Sequence, residues 1–286
     1  MRGAFFHMRQ KSQIFLLAIL LFFIPGWADD TPVHGYFDAS FKNDYITPRG
    51  LLVTDTDLTI QILAGLVVDF SKKVSLEIGC WNDVWTGQDN PTVGAWNEFD
   101  WYIGLNCHIA DDWRFLVHYL QFLSPPGNFK PENNMEFTLA YDDSKWGYRI
   151  VWNPYVKWFW AMSGSSTVVV GRPGNTYDVE IGLVPTIKMM EYFVLTAPTW
   201  ITVGPPSFWN GGDLGLKHKR CCLGVFTSGL NVKMPYRNWY LDIGGQYYYL
   251  INDSLLQAQT VTLGVHSYKK GHRHVGVASA GFGFGF

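Results

Sequence analysis

Apolar and polar residues alternate with a period of two over long stretches of the chain. Four stretches show the alternation most clearly: residues 57–70, 96–109, 134–142 and 238–250. In the first of them, apolar residues occupy every even position from Leu58 to Phe70, while Asp57, Gln61 and Asp69 are among the odd ones. Alternate side chains of a β-strand point to opposite faces, so each stretch predicts a strand with one apolar and one polar face.

The apolar faces of these predicted strands are long and rich in aromatic residues. Strands of about ten residues with one apolar and one charged face are typical of transmembrane β-barrels. A soluble β-sandwich has the same period with its apolar faces turned toward a shared core, but it accounts less well for an aromatic face on nearly every strand. The pattern therefore predicts an all-β protein, a transmembrane antiparallel up-and-down β-barrel.

The connections between the predicted strands alternate between short and long. The short ones are residues 71–73, 111–112, 144–147, 189–192 and 235–238, and the long ones are 46–56, 86–95, 124–133, 161–175, 204–219 and 251–272. Bacterial barrels have short periplasmic turns and longer outer loops. This count predicts about 12 strands, with both termini on the periplasmic side. Because residues 257–268 also alternate like a strand, 10 or 14 strands are open alternatives.

The beginning of the chain carries the features of an export signal. Three basic residues precede an apolar run over residues 14–24, and small residues follow at Gly26 and Ala28. This arrangement predicts a cleaved signal peptide over residues 1–28. A single membrane anchor is the alternative, but the run is much shorter than the ~20 apolar residues that span a bilayer as a helix.

The last residues of the chain alternate glycine with phenylalanine. Phe282, Phe284 and Phe286 resemble the C-terminal signal by which bacterial outer-membrane proteins are recognised for insertion. The alternative is a hydrophobic edge strand of a soluble sandwich, although such an exposed edge invites aggregation. Together the two ends predict export to the bacterial outer membrane, with residues 29–286 forming a single barrel domain.

The composition agrees with a membrane barrel. Aromatic residues make up 17% of the chain and charged residues only 16%, whereas soluble domains carry about 25% charged residues. Beyond residue 28 there is no apolar run long enough for a membrane helix. The same part has 19 basic and 24 acidic residues, a net charge of −5, and shows no basic face. Nucleic acid is therefore excluded as a predicted partner.

Alternation places a set of charged side chains on the inward face of the barrel. The predicted pore-lining residues are Glu77, Asp83, Glu98, Asp100, Arg114, Glu136, Arg149, Lys157, Asp178, Glu180 and Asp242. Charged rings in a pore select ions by sign, so the acidic excess predicts a mild cation preference for an open lumen. Alternatively, these residues pair into a network of salt bridges that fills the lumen, as side chains do in smaller barrels.

The sequence offers little support for catalysis or for a bound cofactor. It contains no GxSxG, Walker A or dinucleotide motif, and no Ser and His spacing indicates a catalytic triad. His272-Arg273-His274 could bind a metal or a lipid phosphate, but a solvated rim is the favoured interpretation. Cys80, Cys107, Cys221 and Cys222 are interpreted as small apolar residues, with a bridge from Cys221 or Cys222 left open. We expect no catalytic residue, metal or cofactor.

Several short motifs match a known family. Asn43-Asp44-Tyr45, Arg49-Gly50-Leu51 and Gln61 resemble the opening of the TorF porin family, also described as a bacterial family named after a Gly-Cys-Trp motif. Gly79-Cys80-Trp81 matches that motif, and residues 98–104 resemble the acidic-aromatic segment that follows it. The resemblance is strongest over residues 36–110. It implies an outer-membrane barrel that acts as a passive channel, without a defined substrate.

The sequence as a whole predicts a porin-like channel for small hydrophilic solutes or ions. The alternatives are a non-conducting barrel with a structural, adhesion or assembly role, and a membrane-embedded enzyme. The predicted partners are outer-membrane lipid and lipopolysaccharide, the barrel-assembly machinery, and small solutes or ions.

Overall fold

The computed structural model describes residues 32–87, 95–127, 129–163, 165–166, 172–173, 175–189, 192–209 and 223–286. The predicted signal peptide and the adjacent Cys221 and Cys222 lie outside these ranges. Cys80 and Cys107 are half-buried free thiols.

The described residues are mostly β-strand. The strands are β1 Val33–Lys42, β2 Tyr45–Ile46, β3 Leu52–Thr54, β4 Thr59–Ser71, β5 Val74–Trp85, β6 Trp96–Ala110, β7 Trp113–Leu123, β8 Glu132–Tyr141, β9 Pro154–Ser163, β10 Ser165–Ser166, β11 Arg172–Pro173, β12 Thr176–Leu183, β13 Thr186–Met189, β14 Phe193–Thr196, β15 Thr199–Val203, β16 Leu223–Tyr236, β17 Trp239–Leu250 and β18 His274–Gly285. Two α-helices accompany them, α1 Pro206–Trp209 and α2 Asp253–Thr262, together with short 3-10 helices at Ser144–Trp146 and Tyr268–Lys270. No helix among the described residues is long and apolar enough to cross a membrane.

Twelve antiparallel strands close into a barrel. Their order is β1, β4, β5, β6, β7, β8, β9, β12, β15, β16, β17 and β18, and β18 pairs back onto β1 from Tyr36↔Gly285 to Lys42↔Ser279. Neighbours in the ring follow one another along the chain, so the topology is up-and-down. Two short strands of the same sheet, β13 and β14, lie outside the ring; they pair with each other, and β14 also pairs with β16. The short strands β2 with β3 and β10 with β11 form two separate pairs. The predicted fold class and strand number are confirmed.

The outer surface of the barrel is apolar, and charged and polar side chains line much of its interior. Ile78, Ile181 and Leu241 are about half exposed on the outside, whereas Asp83 and Asp178 are buried inside. This arrangement is the reverse of a soluble protein, in which large apolar side chains fill the interior. A closed barrel in hydrocarbon satisfies its backbone groups between strands and presents apolar side chains to lipid, so these faces suit a membrane.

The two ends of the barrel differ. At the turn end, where β1 begins and β18 ends, two-residue turns at 72–73, 111–112 and 237–238 join adjacent strands, as predicted. The loop end, on the opposite side, carries the long connections.

One connection at the turn end is longer than the predicted 144–147. It covers residues 142–153, because the buried Asp143 carboxylate accepts the N–H groups of Trp152 and Asn153 at 2.9 Å and folds this segment back on itself. Hydrogen bonds from Ser144 hold the pKa of the neighbouring Asp142 below its ordinary value.

The strand alternative for residues 257–268 is wrong. Helix α2 covers the first half of this segment, and the side chain of Asn252 caps the helix by accepting the N–H of Ser254 at 3.0 Å. An N-cap oxygen satisfies one of the free N–H groups of the first turn. Leu255 and Leu256 are buried, so tertiary packing decides the conformation of a sequence that alternates locally.

An apolar cluster fills the interior of the barrel at its loop end. Residues 43–58, which connect β1 to β4 and contain β2 and β3, fold inward; we call them the inner arm. The cluster joins residues of the inner arm, both helices and the surrounding strands: Ile46, Leu51, Leu52, Phe122, Phe159, Ala161, Phe208, Trp209, Val225, Tyr248, Leu250, Leu255, Leu256, Ala258, Val275 and Val277. The inner arm, α1 and α2 are thus packed against the wall at this end.

Candidate functional site

Ten of the predicted pore-lining residues lie on barrel strands, and Arg149 does not. The ten residues belong to seven strands: Glu77 and Asp83 to β5, Glu98 and Asp100 to β6, Arg114 to β7, Glu136 to β8, Lys157 to β9, Asp178 and Glu180 to β12, and Asp242 to β17. Arg149 is exposed in the connection between β8 and β9. The ten residues form several separate groups inside the barrel.

The first group is centred on Arg49, a residue that sequence reasoning placed in a loop. Its Nε donates to Oδ1 of Asp178 at 2.9 Å, and its Nη2 lies 3.7 Å from Oε2 of Glu136. The guanidinium also lies over the ring of Phe159, 3.5 Å from the ring centre. Arg49 is buried, so this cation is held by charge and by stacking at the same time.

Lys157 continues this group along the wall. Its Nζ lies 3.6 Å from Glu136 and 3.8 Å from Glu180, and the hydroxyl of Tyr155 donates to Glu180 at 2.7 Å. The result is a chain of alternating charges, Asp178, Arg49, Glu136, Lys157 and Glu180, across the three adjacent strands β8, β9 and β12. A salt-bridge network therefore covers this wall of the lumen.

The second group surrounds Glu77 on β5. The hydroxyls of Tyr36 and Tyr102 contact each other, and the Tyr36 hydroxyl donates to the Glu77 carboxylate. Nε2 of His118 lies 3.4 Å from the other carboxylate oxygen. These residues come from β1, β5, β6 and β7, so their side chains bridge four strands inside the barrel.

The third group is acidic and lies toward the loop end. Asp83 accepts hydrogen bonds from Thr59 at 2.6 Å and from the side-chain amides of Gln61 and Asn97 at 3.2 Å.

Two further carboxyl groups on β6 complete this acidic group. Glu98 accepts the hydroxyl of Tyr45, from the inner arm, at 2.7 Å. Asp100 lies two residues further along the same face of β6. Glu98 and Asp100 therefore form a pair of neighbouring carboxyl groups beside the inner arm.

Two cavities with charged and polar side chains in their walls lie inside the described part of the barrel. One, of about 490 Å³, lies toward the turn end and is lined by Arg114, His118, Glu136, Tyr155 and Lys157, among others. The other, of about 210 Å³, is lined by Asp38, Ser40, Lys42, Asn231, Asp242, Gln246, Val277, Ser279 and Gly281. The small residues Ser40, Ser279 and Gly281 lie among the charged and polar residues of this second cavity.

Acidic side chains outnumber basic ones on the inward face of the described strands and arm. The acidic residues are Asp38, Glu77, Asp83, Glu98, Asp100, Glu132, Glu136, Asp178, Glu180 and Asp242, and the basic residues are Lys42, Arg49, Arg114, Lys157 and Lys233.

Comparison with solved structures places the fold among outer-membrane barrels. The crystal structure of the NanC porin is similar with a TM-score of 0.50 and 10% sequence identity, over 87% of this chain and 98% of that chain. The fold is porin-like. An outer-membrane channel from Pseudomonas putida F1 has a TM-score of 0.49 at 10% identity, over 92% of this chain and 99% of that chain. The KdgM porin has a TM-score of 0.46 at 5% identity, over 88% and 99%.

These likenesses concern the fold alone, since the identities are low. No protein-family model matches the chain, and no curated protein matches it. The resemblance to the TorF family is therefore not confirmed and stays a prediction. The Gly-Cys-Trp motif lies on β5, where Gly79 packs beneath the Tyr102 ring and Trp81 packs against Tyr45 of the inner arm, with ring centres 5.6 Å apart.

Proposed function

We propose that the protein is an outer-membrane, porin-like channel for passive diffusion of small hydrophilic solutes or ions. The observation that carries this proposal is a closed barrel with an apolar exterior and two interior cavities with charged and polar side chains in their walls. Such a cylinder gives polar solutes a route through hydrocarbon, which they otherwise do not cross. No catalytic step is part of the proposal.

The channel prefers cations under this proposal. The inward carboxylates outnumber the inward amines and guanidiniums. Among the described residues, Arg49 and Lys157 are the basic side chains that form ion pairs with Glu136, Asp178 and Glu180. A pore lined by an excess of one charge admits the opposite ion more readily. The preference is mild because much of the charge is paired.

The proposal also assigns the cellular context. Residues 1–28 act as the signal peptide, and residues 29–286 form the barrel in the bacterial outer membrane. The barrel-assembly machinery recognises three phenylalanines at the end of the chain: Phe282 and Phe284 on β18, and Phe286 next to it. Lipid and lipopolysaccharide contact the apolar exterior, on which Leu241 and Ile243 are more than half exposed.

A second candidate is a non-conducting barrel with a structural, adhesion or assembly role. One observation favours it: the inner arm, α1 and α2 pack with the wall into an apolar cluster at the loop end. If this cluster closes the lumen completely, water and ions have no continuous route.

Planar-bilayer recording separates the two candidates. The purified protein is folded in detergent, its folding is checked by the heat-dependent gel shift of an intact barrel, and it is added to the bilayer. Stepwise currents that disappear when the sample is heat-denatured support the channel. Folded protein that inserts but gives no steps supports the non-conducting barrel.

A further inference from the structure

We infer that Arg49 sets the constriction of this channel, controlling both how wide the lumen is and which ions pass. The inference rests on the proposed function and deepens it. The residue lies on the inner arm, and the structure shows where the arm starts, where it ends and what holds it.

The inner arm crosses the barrel. It leaves the wall between β1 and β4, and Arg49 contacts Glu136 on β8, Phe159 on β9 and Asp178 on β12. Counted around the twelve-stranded ring from β1, β9 is the sixth strand in either direction, so β9 lies opposite β1. The arm therefore reaches the wall opposite its root, and any solute has to pass beside it.

Several contacts hold the arm in this position. The Tyr45 hydroxyl donates to Glu98 at 2.7 Å near the root, and Nε1 of Trp200 donates to the carbonyl of Pro48 at 3.2 Å near the tip. Thr262, at the end of α2, donates to the carbonyl of Leu52 at 2.6 Å. Unlike these three hydrogen bonds, the contacts of Arg49 with Glu136 and Asp178 are ion pairs.

Arg49 also determines the local charge at the crossing point. With Arg49 present, the carboxylates of Asp178, Glu136 and Glu180 face two cations, Arg49 and Lys157. Without it, the same three carboxylates face Lys157 alone. Loss of the Arg49 charge should therefore make the constriction more selective for cations.

The test is a pair of substitutions that break the same tether with opposite changes of charge. Arg49→Gln removes a cation, and Asp178→Asn removes an anion. Both should raise the single-channel conductance, because the arm loses its strongest attachment to the far wall. In a KCl gradient, Arg49→Gln should shift the reversal potential toward stronger cation preference, and Asp178→Asn should shift it away.

Arg114→Gln is the matched control. Arg114 is also an inward arginine, and the cavity near the turn end that it lines includes no residue of the inner arm among its lining residues. Its substitution removes the same charge from the lumen but leaves the tether intact, so it should not raise the conductance. If Arg49→Gln fails to fold, Arg49→Lys keeps the charge and loses the fork geometry, and it should raise the conductance with little shift in reversal potential.

The outcomes separate this inference from the proposed function. If the wild type conducts and all variants keep its conductance and reversal potential, Arg49 is not the constriction, while the channel proposal stands. If the wild type is silent and Arg49→Gln conducts, the arm closes the lumen and the inference is supported. If folded wild type and variants are all silent, both proposals are overturned.

Discussion

Tyrosine side chains laid over glycine are a recurring feature of the lumen. Each pair lies directly across neighbouring strands, and each tyrosine hydroxyl reaches a carboxylate. The pairs are Tyr36 over Gly65, Tyr102 over Gly79, Tyr155 over Gly182 and Tyr240 over Gly283. Tyr36 and Tyr102 both contact Glu77, Tyr155 contacts Glu180, and Tyr240 contacts Asp38. A glycine lets an aromatic ring lie flat against the sheet, so these glycines position the charged groups of the lumen.

We predict that Gly79→Ala destabilises the barrel. A Cβ at this position would overlap the Tyr102 ring and lie 2.8 Å from the carbonyl oxygen of Ala64. Overpacking of this kind costs about 1–3 kcal/mol. Urea unfolding followed by tryptophan fluorescence measures the change. Gly276→Ala is the control, because a Cβ there meets no described atom within 4 Å; equal stabilities of the two variants would contradict this account.

At the residue scale the sequence predicts which faces are polar but not which groups meet. Alternation predicts that Glu136, Lys157 and Glu180 point inward, but it does not predict the ion pairs that Lys157 forms with the two glutamates. Arg49 has no periodic pattern around it, because it lies between Pro48 and Gly50 in a connection. Its partners are more than 80 residues away in sequence, and only the closed ring brings them into contact.

The inner arm and α2 depend on one another at the element scale. Gly50 has a φ of +89°, and a Cβ there would lie 2.9 Å from Cδ1 of Leu255 and 3.0 Å from Cβ of Val225. The arm therefore needs glycine at this position for its backbone conformation and for its close approach to the helix.

We predict that Gly50→Ala loosens the inner arm while the barrel stays folded. The strained backbone and the clash with Leu255 should let residues 43–58 leave the lumen, which limited proteolysis in detergent would detect as new cleavage in this segment. Gly264→Ala is the control, since Gly264 also has a positive φ, +66°, but lies in open space among the described residues. If both variants are cleaved alike, packing against α2 does not hold the arm.

Strands with long alternation are predicted well, and connections are not. The strands from β4 to β8 match the predicted pattern because each one has to present an apolar face outward and a polar face inward. Helix α2 was open to a strand interpretation, since short stretches of alternation cannot exclude a helix. The Asn252 cap and the burial of Leu255 determine its conformation.

At the scale of the whole molecule, the ends of the described chain seal the barrel. β18 joins β1, and Gly35 and Phe286 exchange backbone hydrogen bonds of 2.8 and 3.0 Å at the turn end. The rings of Phe284 and Phe286 stack with centres 5.9 Å apart, and Phe284 also contacts Trp239. The phenylalanine-rich end is thus part of the closing seam.

We predict that Phe286→Ala lowers assembly in cells more than folding in vitro. If Phe286 is read as an insertion signal, its loss should reduce the amount of folded barrel in the outer membrane of an expressing bacterium, while refolding into detergent changes little. Phe37→Ala is the control, because Phe37 lies on the same seam against Phe282, with ring centres 6.1 Å apart. Equal losses for both variants in both assays would indicate a purely structural role.

The sequence predicts the closed barrel but not the filling of its loop end. Strand number and direction follow from alternation and from the lengths of the connections. The apolar cluster at the loop end joins the inner arm, α1, α2 and the wall through contacts that are distant in sequence. No local pattern distinguishes a connection that folds into the lumen from one that extends into solvent.

The reversal potential of the wild-type channel in a KCl gradient tests the central claim most directly. A closed barrel with an acidic, hydrated lumen predicts stepwise currents and a reversal potential whose sign shows that K⁺ crosses more readily than Cl⁻. A potential of the opposite sign, or no current from protein shown to be folded and inserted, would contradict the account.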